Sequence, residues 1–147
     1  NGTTIAVTTA ANGSYSFTGV APGTYTVTPN EPGINFTPTS LSVTVSEGPV
    51  TVSAFNAAAT YTVSGTITPA SLGNGATVTL SQNGTTIAVT TAASGRYSFT
   101  GVAPGTYTVT PDEPGINFTP TSRGVTVSRG PVTVSTFRAT ILRRRAF

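Results

Sequence analysis

Asn1-Gly-Thr-Thr-Ile-Ala-Val-Thr-Thr-Ala-Ala returns letter for letter at Asn83. The offset of 82 residues holds without a gap through Ala57 and Ala139, and 49 of the 57 aligned positions are identical. The differences are Asn12/Ser94, Ser14/Arg96, Asn30/Asp112, Leu41/Arg123, Ser42/Gly124, Glu47/Arg129, Ala54/Thr136 and Asn56/Arg138. Self-similarity at a fixed spacing is the mark of one structural unit made more than once. It reflects recent duplication, or copies kept alike by recombination. The natural start of the unit is Tyr61, after a small linker at residues 58–60. The second repeat runs complete from 61 to 139, followed by a basic tail at 140–147. The first, residues 1–57, has no counterpart of Tyr61–Gln82.

Within the repeat the period is two. Tyr61, Val63 and Ile67 share one parity, and so do Val78 and Leu80. Ile87 and Val89, Tyr97 and Phe99, Tyr107 and Val109, Val125 and Val127, and Val132 and Val134 each alternate with small or hydroxylated residues. Apolar residues alternating with Thr and Ser predict half-buried strands, with the β-branched Thr face in water. Nothing reads as a helix. Asn12-Gly13, Asn83-Gly84 and Ser94-Gly95 are hairpin signals. Pro22-Gly23 and Pro104-Gly105 predict type II turns with Gly at positive φ. The complete repeat then has eight strands: 61–67, 76–82, 85–92, 97–102, 106–110, 116–119, 124–128 and 132–137. Short strands at this spacing predict an all-β fold, two tandem antiparallel Greek-key sandwiches. The expected core in the first copy is Ile5, Val7, Tyr15, Phe17, Tyr25, Val27, Val43, Val45, Val50 and Val52. In the second it is Val63, Ile67, Val78, Leu80, Ile87, Val89, Tyr97, Phe99, Tyr107, Val109, Val125, Val127, Val132 and Val134.

Composition excludes most chemistry. The 147 residues contain no His, Cys, Met, Trp or Lys, and the only acids are Glu31, Glu47, Asp112 and Glu113. No ordinary zinc, copper or haem site can be built, and no thiol chemistry. There is no amine nucleophile and no Ser–His–Asp relay. No catalytic residue, metal or cofactor is expected. The net charge of +3 is that of a tail: residues 1–137 carry three Arg against four acids, and four more Arg fall in the last ten positions. No run approaches the ~20 apolar residues of a membrane helix. Thr and Ser make up 46 residues, and a Thr/Ser/Gly/Asn/Val chain this poor in charge is expected outside the cell.

Gly95-Arg-Tyr-Ser-Phe-Thr-Gly-Val-Ala-Pro-Gly-Thr-Tyr-Thr-Val-Thr-Pro111 resembles the middle of carboxypeptidase regulatory-like repeats. These are transthyretin-like (prealbumin-like), Ig-like β-sandwiches of bacterial secreted and surface proteins. Val63–Ile67 and Gly75–Leu80 resemble that family's opening strands, and Gly13–Pro29 carries the same pattern in the first copy. The resemblance implies a fold and a role as spacer, stalk or accessory module. The B-type repeats of collagen-binding adhesins are also similar around Tyr-Thr-Val. Many of those carry a Lys–Asn crosslink, but this chain has no Lys, and Pro29 and Pro111 stand where the acid would be.

The remaining candidates are modest. Asn30-Glu31 and Asp112-Glu113, each before Pro-Gly, fall short of the six to eight oxygens that calcium takes. Tyr15, Phe17, Tyr25 and Phe36 sit on the apolar parity, which favours core over a sugar-binding face. Arg143-Arg144-Arg145 lacks interleaved aromatics, so no nucleic-acid partner is expected. Asn-x-Ser/Thr sequons at Asn1, Asn12, Asn35, Asn83 and Asn117 follow from so much Thr and do not establish a glycan.

Two explanations fit a first repeat without its opening strands: an excerpt of a longer array, or strands donated by a neighbouring molecule. The expected function is a non-catalytic extracellular repeat, a fibre subunit or surface stalk. Its expected partners are copies of itself or neighbouring repeats. An adhesin or carbohydrate-binding module is the alternative.

Overall fold

A computed structural model of the chain describes residues 3–143. The chain divides into two compact units, Asn1–Asn30 with Phe36–Asn56, and Glu31–Asn35 with Ala57–Phe147. The first copy contributes β1 (Gly23–Val27), β2 (Ile34–Thr37), β3 (Leu41–Val45) and β4 (Asn56–Ala59). The second contributes β5 (Tyr61–Thr68), the helical turn α1 (Ala70–Gly73), β6 (Thr77–Gln82), β7 (Thr85–Thr91), β8 (Arg96–Val102) and β9 (Gly105–Asp112). It continues with β10 (Ile116–Thr119), β11 (Arg123–Val127), β12 (Val132–Thr133) and β13 (Phe137–Ile141). Among the described residues the fold is all-β apart from the single turn of α1.

The second copy forms a sandwich. One sheet runs β11-β9-β6-β7 and is antiparallel throughout. The other runs β10-β13-β5-β12, with β8 also on β5. The strand β5 pairs antiparallel with β8, but β12 and β13 lie parallel to it, at Val63–Ser64 and Ile67–Thr68. Eleven of the fourteen residues expected in its core are buried: Val63, Ile67, Val78, Leu80, Tyr97, Phe99, Tyr107, Val109, Val125, Val127 and Val134. Val132 packs against them half-buried. Ala76, Ala92, Val102, Phe118, Phe137 and Ala139 complete the core. Asn83 and Gly84 both take positive φ, 51° and 78°, and close the β6–β7 hairpin. Ser94 and Gly95 do the same before β8, with Ala93 and Arg96 exchanging both backbone hydrogen bonds. A side chain at Gly95 would collide with the Ile67 carbonyl, whose own N–H donates to the Gly95 carbonyl.

Several expectations are corrected. Ile87 and Val89 are 51% and 58% exposed. Register decides the face: Leu80 and Val78 point inward, and their partners across the ladder are Ala88 and Thr90. Cross-strand partners share a face, so Ile87 and Val89 look out from an edge strand. The expected strand at 132–137 is two strands, because the chain leaves β5 after Val134 N–H bonds Ser64 and rejoins it at Phe137. A helical turn follows Pro69 where none was expected, and its Gly73 is buried close under Ile67. Gly23 and Gly105 are not at the third position of type II turns; they begin β1 and β9 in extended backbone. The strand β4 covers residues assigned to the linker, and β13 runs into the expected tail as far as Ile141. Arg144 and Arg145 of that tail lie outside the described residues.

The largest correction concerns the first copy. Ile5, Val7 and Val50 are exposed, and Tyr15, Phe17, Tyr25, Val27, Val43, Val45 and Val52 are only half-buried. Residues 3–22 contain no strand, although their counterparts in the second copy are β7 and β8. Gly13 still takes φ 80°, and its N–H bonds the Ala10 carbonyl at 2.8 Å, so the Asn12-Gly13 turn forms without flanking strands.

Candidate functional site

The difference between two nearly identical copies has a residue-level cause. In the second copy β7 pairs only with β6, and β8 and β12 only with β5. Residues 1–57 include no counterpart of β5 or β6, and the segments equivalent to β7, β8 and β12 are not strands. By contrast β9 pairs with β11 and β10 with β13. Their equivalents survive as β1–β3 and β2–β4. A strand of this size persists only where backbone groups find partners.

The same rule holds within single strands. Gly105–Val109 of β9 pairs with β11, while Thr110–Asp112 is held only by β6. The equivalent strand β1 stops at Val27, the position of Val109, and residues 28–30 are not strand. Phe137 in β13 pairs only with β5, through Ile67, and the equivalent β4 begins one residue later, at Asn56.

What remains in the first copy keeps its local geometry. Gly23↔Val45, Tyr25↔Val43 and Val27↔Leu41 pair across β1–β3 as Gly105↔Val127, Tyr107↔Val125 and Val109↔Arg123 do across β9–β11. The Tyr25 hydroxyl donates to the Ala21 carbonyl at 2.7 Å, and the Tyr107 hydroxyl to Ala103 at 2.6 Å. Tyr15 and Phe17 meet edge to face at 6.0 Å, as Tyr97 and Phe99 do at 6.2 Å. Thr60 N–H reaches the Gly33 carbonyl at 2.8 Å, as Leu142 N–H reaches Gly115. The candidate site is therefore an open half-sandwich: an apolar face of Tyr25, Val27, Leu41, Val43 and Val45, with the edge of β1 away from β3 unpaired among the described residues. Alternation alone could not reveal it, because sequence parity is the same in both copies.

The other candidates do not converge. Asp112 is exposed at the end of β9 and Glu113 half-buried. Among the described residues no three His, Cys, Asp or Glu side chains gather. No helix among them is long and apolar enough to cross a membrane. Arg143 is exposed. Sequence reasoning missed one polar pair. The Tyr97 hydroxyl is buried beside Gly65 with no hydrogen-bond partner. Burial pushes its pKa up to about 12, and the Arg123 charge pulls in the opposite direction. Arg123 donates to the Thr136 carbonyl at 2.9 Å and lies over the Phe137 ring at 5.5 Å, while its Nε finds no partner.

Two family models match the chain. Residues 62–140, the complete sandwich, match the carboxypeptidase regulatory-like domain. Residues 1–60 match a second model, the second beta sandwich domain of BOS complex subunit NOMO1-like proteins. The chain is similar to Chitinase ChiA of Flavobacterium johnsoniae, 38% identical over 120 residues. That match covers 77% of this chain and 7% of the length of that protein.

Proposed function

The chain belongs to the carboxypeptidase regulatory-like domain family, and on that premise we propose that it is a non-catalytic structural repeat of an extracellular protein. Its work is to set distance and stiffness as a stalk, spacer or fibre element. The observation that carries this reading is the use of the aromatic side chains in the second copy. Tyr97, Phe99, Tyr107, Phe118 and Phe137 are spent in the core, so they offer no platform on which a sugar ring would stack. Many outer strand positions carry Thr, including Thr77, Thr91, Thr106, Thr108 and Thr126, with Ile87 and Val89 the apolar exceptions on β7.

The extracellular setting is supported by the likeness to Chitinase ChiA, because chitin is an insoluble polymer met outside the cell. Within such a protein a module of this kind separates working parts. Its stability comes from burial of its own apolar core, and repeated units in series extend the reach.

The same likeness favours a second reading, a carbohydrate-binding module. In the first copy the half-exposed Tyr15 and Phe17 would be its contact. Incubation of the purified chain with insoluble chitin and cellulose separates the two. The structural reading expects the protein to stay in the supernatant and no soluble sugar to appear. Saturable depletion onto the polymer, lost in Tyr15→Ala and Phe17→Ala, would replace it with the binding-module reading. Released oligosaccharide would replace both.

A further inference from the structure

We propose that the outer face of the β5 sheet in the second copy, with Arg96, Arg123 and Arg138, binds one kind of partner: an acidic polysaccharide bearing carboxylate or sulfate groups. This goes beyond the structural-repeat reading and does not depend on it.

The two copies differ at eight aligned positions, and five of those differences change charge. The second copy has Arg at 96, 123, 129 and 138 where the first has Ser14, Leu41, Glu47 and Asn56. Residues 1–57 carry two acids and no base, a net of −2. Residues 83–139 carry those four Arg against Asp112 and Glu113, a net of +2.

Strand pairing gathers three of the four. Arg96 pairs across the ladder with Thr66, and Arg138 pairs with Thr68 and with Thr119. Cross-strand partners share a face, and all five residues are exposed. Arg96 and Arg138 therefore flank β5 on the outside of one sheet. They lie two strand spacings across and two residues along, about 12 Å apart at Cα. The Thr66 and Thr136 hydroxyls share a hydrogen bond at 2.9 Å. Arg123, half-buried, donates to the Thr136 carbonyl. It also lines an open cleft of about 520 Å³, with Ser122, Thr133 and Ser135.

The chemistry of this face selects its partner. None of β5, β8, β10, β12 and β13 contains an acidic residue, so the Arg charges meet no counter-charge on their own sheet. Guanidinium groups hold planar oxyanions such as carboxylate through paired N–H donors. The surrounding Ser98, Thr100 and Thr140 are exposed, and their hydroxyls can both donate to and accept from sugar hydroxyls. A nucleic acid would call for aromatic side chains on which bases stack, but Tyr97, Phe99, Phe118 and Phe137 of these strands are in the core. An anionic membrane would call for apolar side chains that enter it, where this face presents Thr and Ser.

Arg129 supplies the control. It lies in the loop ahead of β12, whose Val132 pairs with Val63, toward the end of β5 opposite Thr68. Arg96→Ser with Arg138→Asn lowers the net charge by two, and so does Arg129→Glu alone. Each change installs the residue of the first copy.

The test is affinity electrophoresis of the full chain in native gels containing polygalacturonate, chondroitin sulfate or neutral dextran. The expected result is retardation by the two acidic polymers and not by dextran, lost as salt rises toward about 0.5 M, where screening leaves a range of only a few ångströms. Arg96→Ser/Arg138→Asn should weaken binding by about tenfold or more, as loss of two charge-assisted contacts requires. Arg129→Glu should stay within about twofold of the wild type, since a charge beyond the Debye length is screened. Four results would overturn the proposal. Absence of retardation in either acidic polymer would remove the site. Equal losses in the two variants would leave only a bulk charge effect. Unchanged binding in Arg96→Ser/Arg138→Asn would put the contact elsewhere, on the basic tail first of all. Tighter binding to duplex DNA or to phosphatidylserine vesicles, measured as competitors, would assign the face to another class of partner. Chitin and cellulose are uncharged, so the structural-repeat reading stands or falls separately.

Discussion

Val27 and Val109 occupy equivalent places in two copies of one sequence, yet they should respond differently to the same substitution. Val109 is fully buried, paired with Leu80 on one side and Arg123 on the other. Val27 has only the Leu41 partner and is half-exposed. Val109→Ala removes two methyl-sized groups, about 1.6 kcal/mol at about 0.8 each. The cavity of roughly 50 Å³ adds about 1.2 kcal/mol at about 24 cal/mol per Å³. A loss of about 2–3 kcal/mol is expected, a large share of the roughly 5–10 kcal/mol available to a domain of this size. It lowers Tm by about 10–20 °C. Val27→Ala removes the same atoms from a surface that water already reaches, so the main transition should move by less than about 0.5 kcal/mol. Calorimetry on the wild type and both variants reads the difference directly. Equal shifts in the two variants would refute the reasoning, because the first copy would then have a closed core.

Four further outcomes follow from single residues. With a folded pKa pushed up to about 12 from the ordinary tyrosine value of 10.0, Tyr97 ionises first in the unfolded chain. Its contribution is whole below pH 10 and is lost as pH rises toward 12, at up to about 1.4 kcal/mol per pH unit, and Tyr97→Phe should flatten that dependence in urea titrations. Arg123→Leu, which installs the residue of the first copy, removes the charge that opposes the rise, so the Tyr97 absorbance titration should move to still higher pH. Gly65→Ala drives a methyl group into the Tyr97 ring and should cost about 1–3 kcal/mol by overpacking, measurable by urea denaturation. Asn83→Ala at φ 51° should cost about 1–2 kcal/mol of hairpin strain, again as a lower urea midpoint.

How far the sequence could be read is clearest where it misled. Alternation at Val63, Ile67, Tyr107 and Val109 marks the buried parity, because β5 and β9 each have a neighbour on both sides and one face against the opposite sheet, and Tyr97 and Phe99 fall on the buried parity of β8, which pairs with β5 alone. At Ile87 and Val89 the same rule chose the wrong face. An edge strand takes its facing from its single partner, and a shift in the β6–β7 ladder between Leu80 and Ser81 is invisible in composition. Phe118 and Phe137 were not placed in the core. The first sits in a four-residue strand and the second at a parallel junction with β5, where period-two reading has little to work on. The candidate site was legible only as an absence of opening strands. Its consequence was not, since residues 3–22 and 85–104 differ at only two positions and yet only the latter contains strands. What separates them is pairing with residues far along the chain, which no local pattern records.

The central claim, that strand order in each copy depends on β5 and β6, is tested most directly by amide hydrogen exchange of the unmodified chain. NMR is the method of choice, because the identical stretches 1–11 and 83–93 would give peptides of equal mass. The account predicts strong protection over the ladder-bonded amides of residues 85–91 and 96–102, and exchange near the unfolded rate over 4–9 and 14–20. Equal protection in both pairs of segments would contradict it.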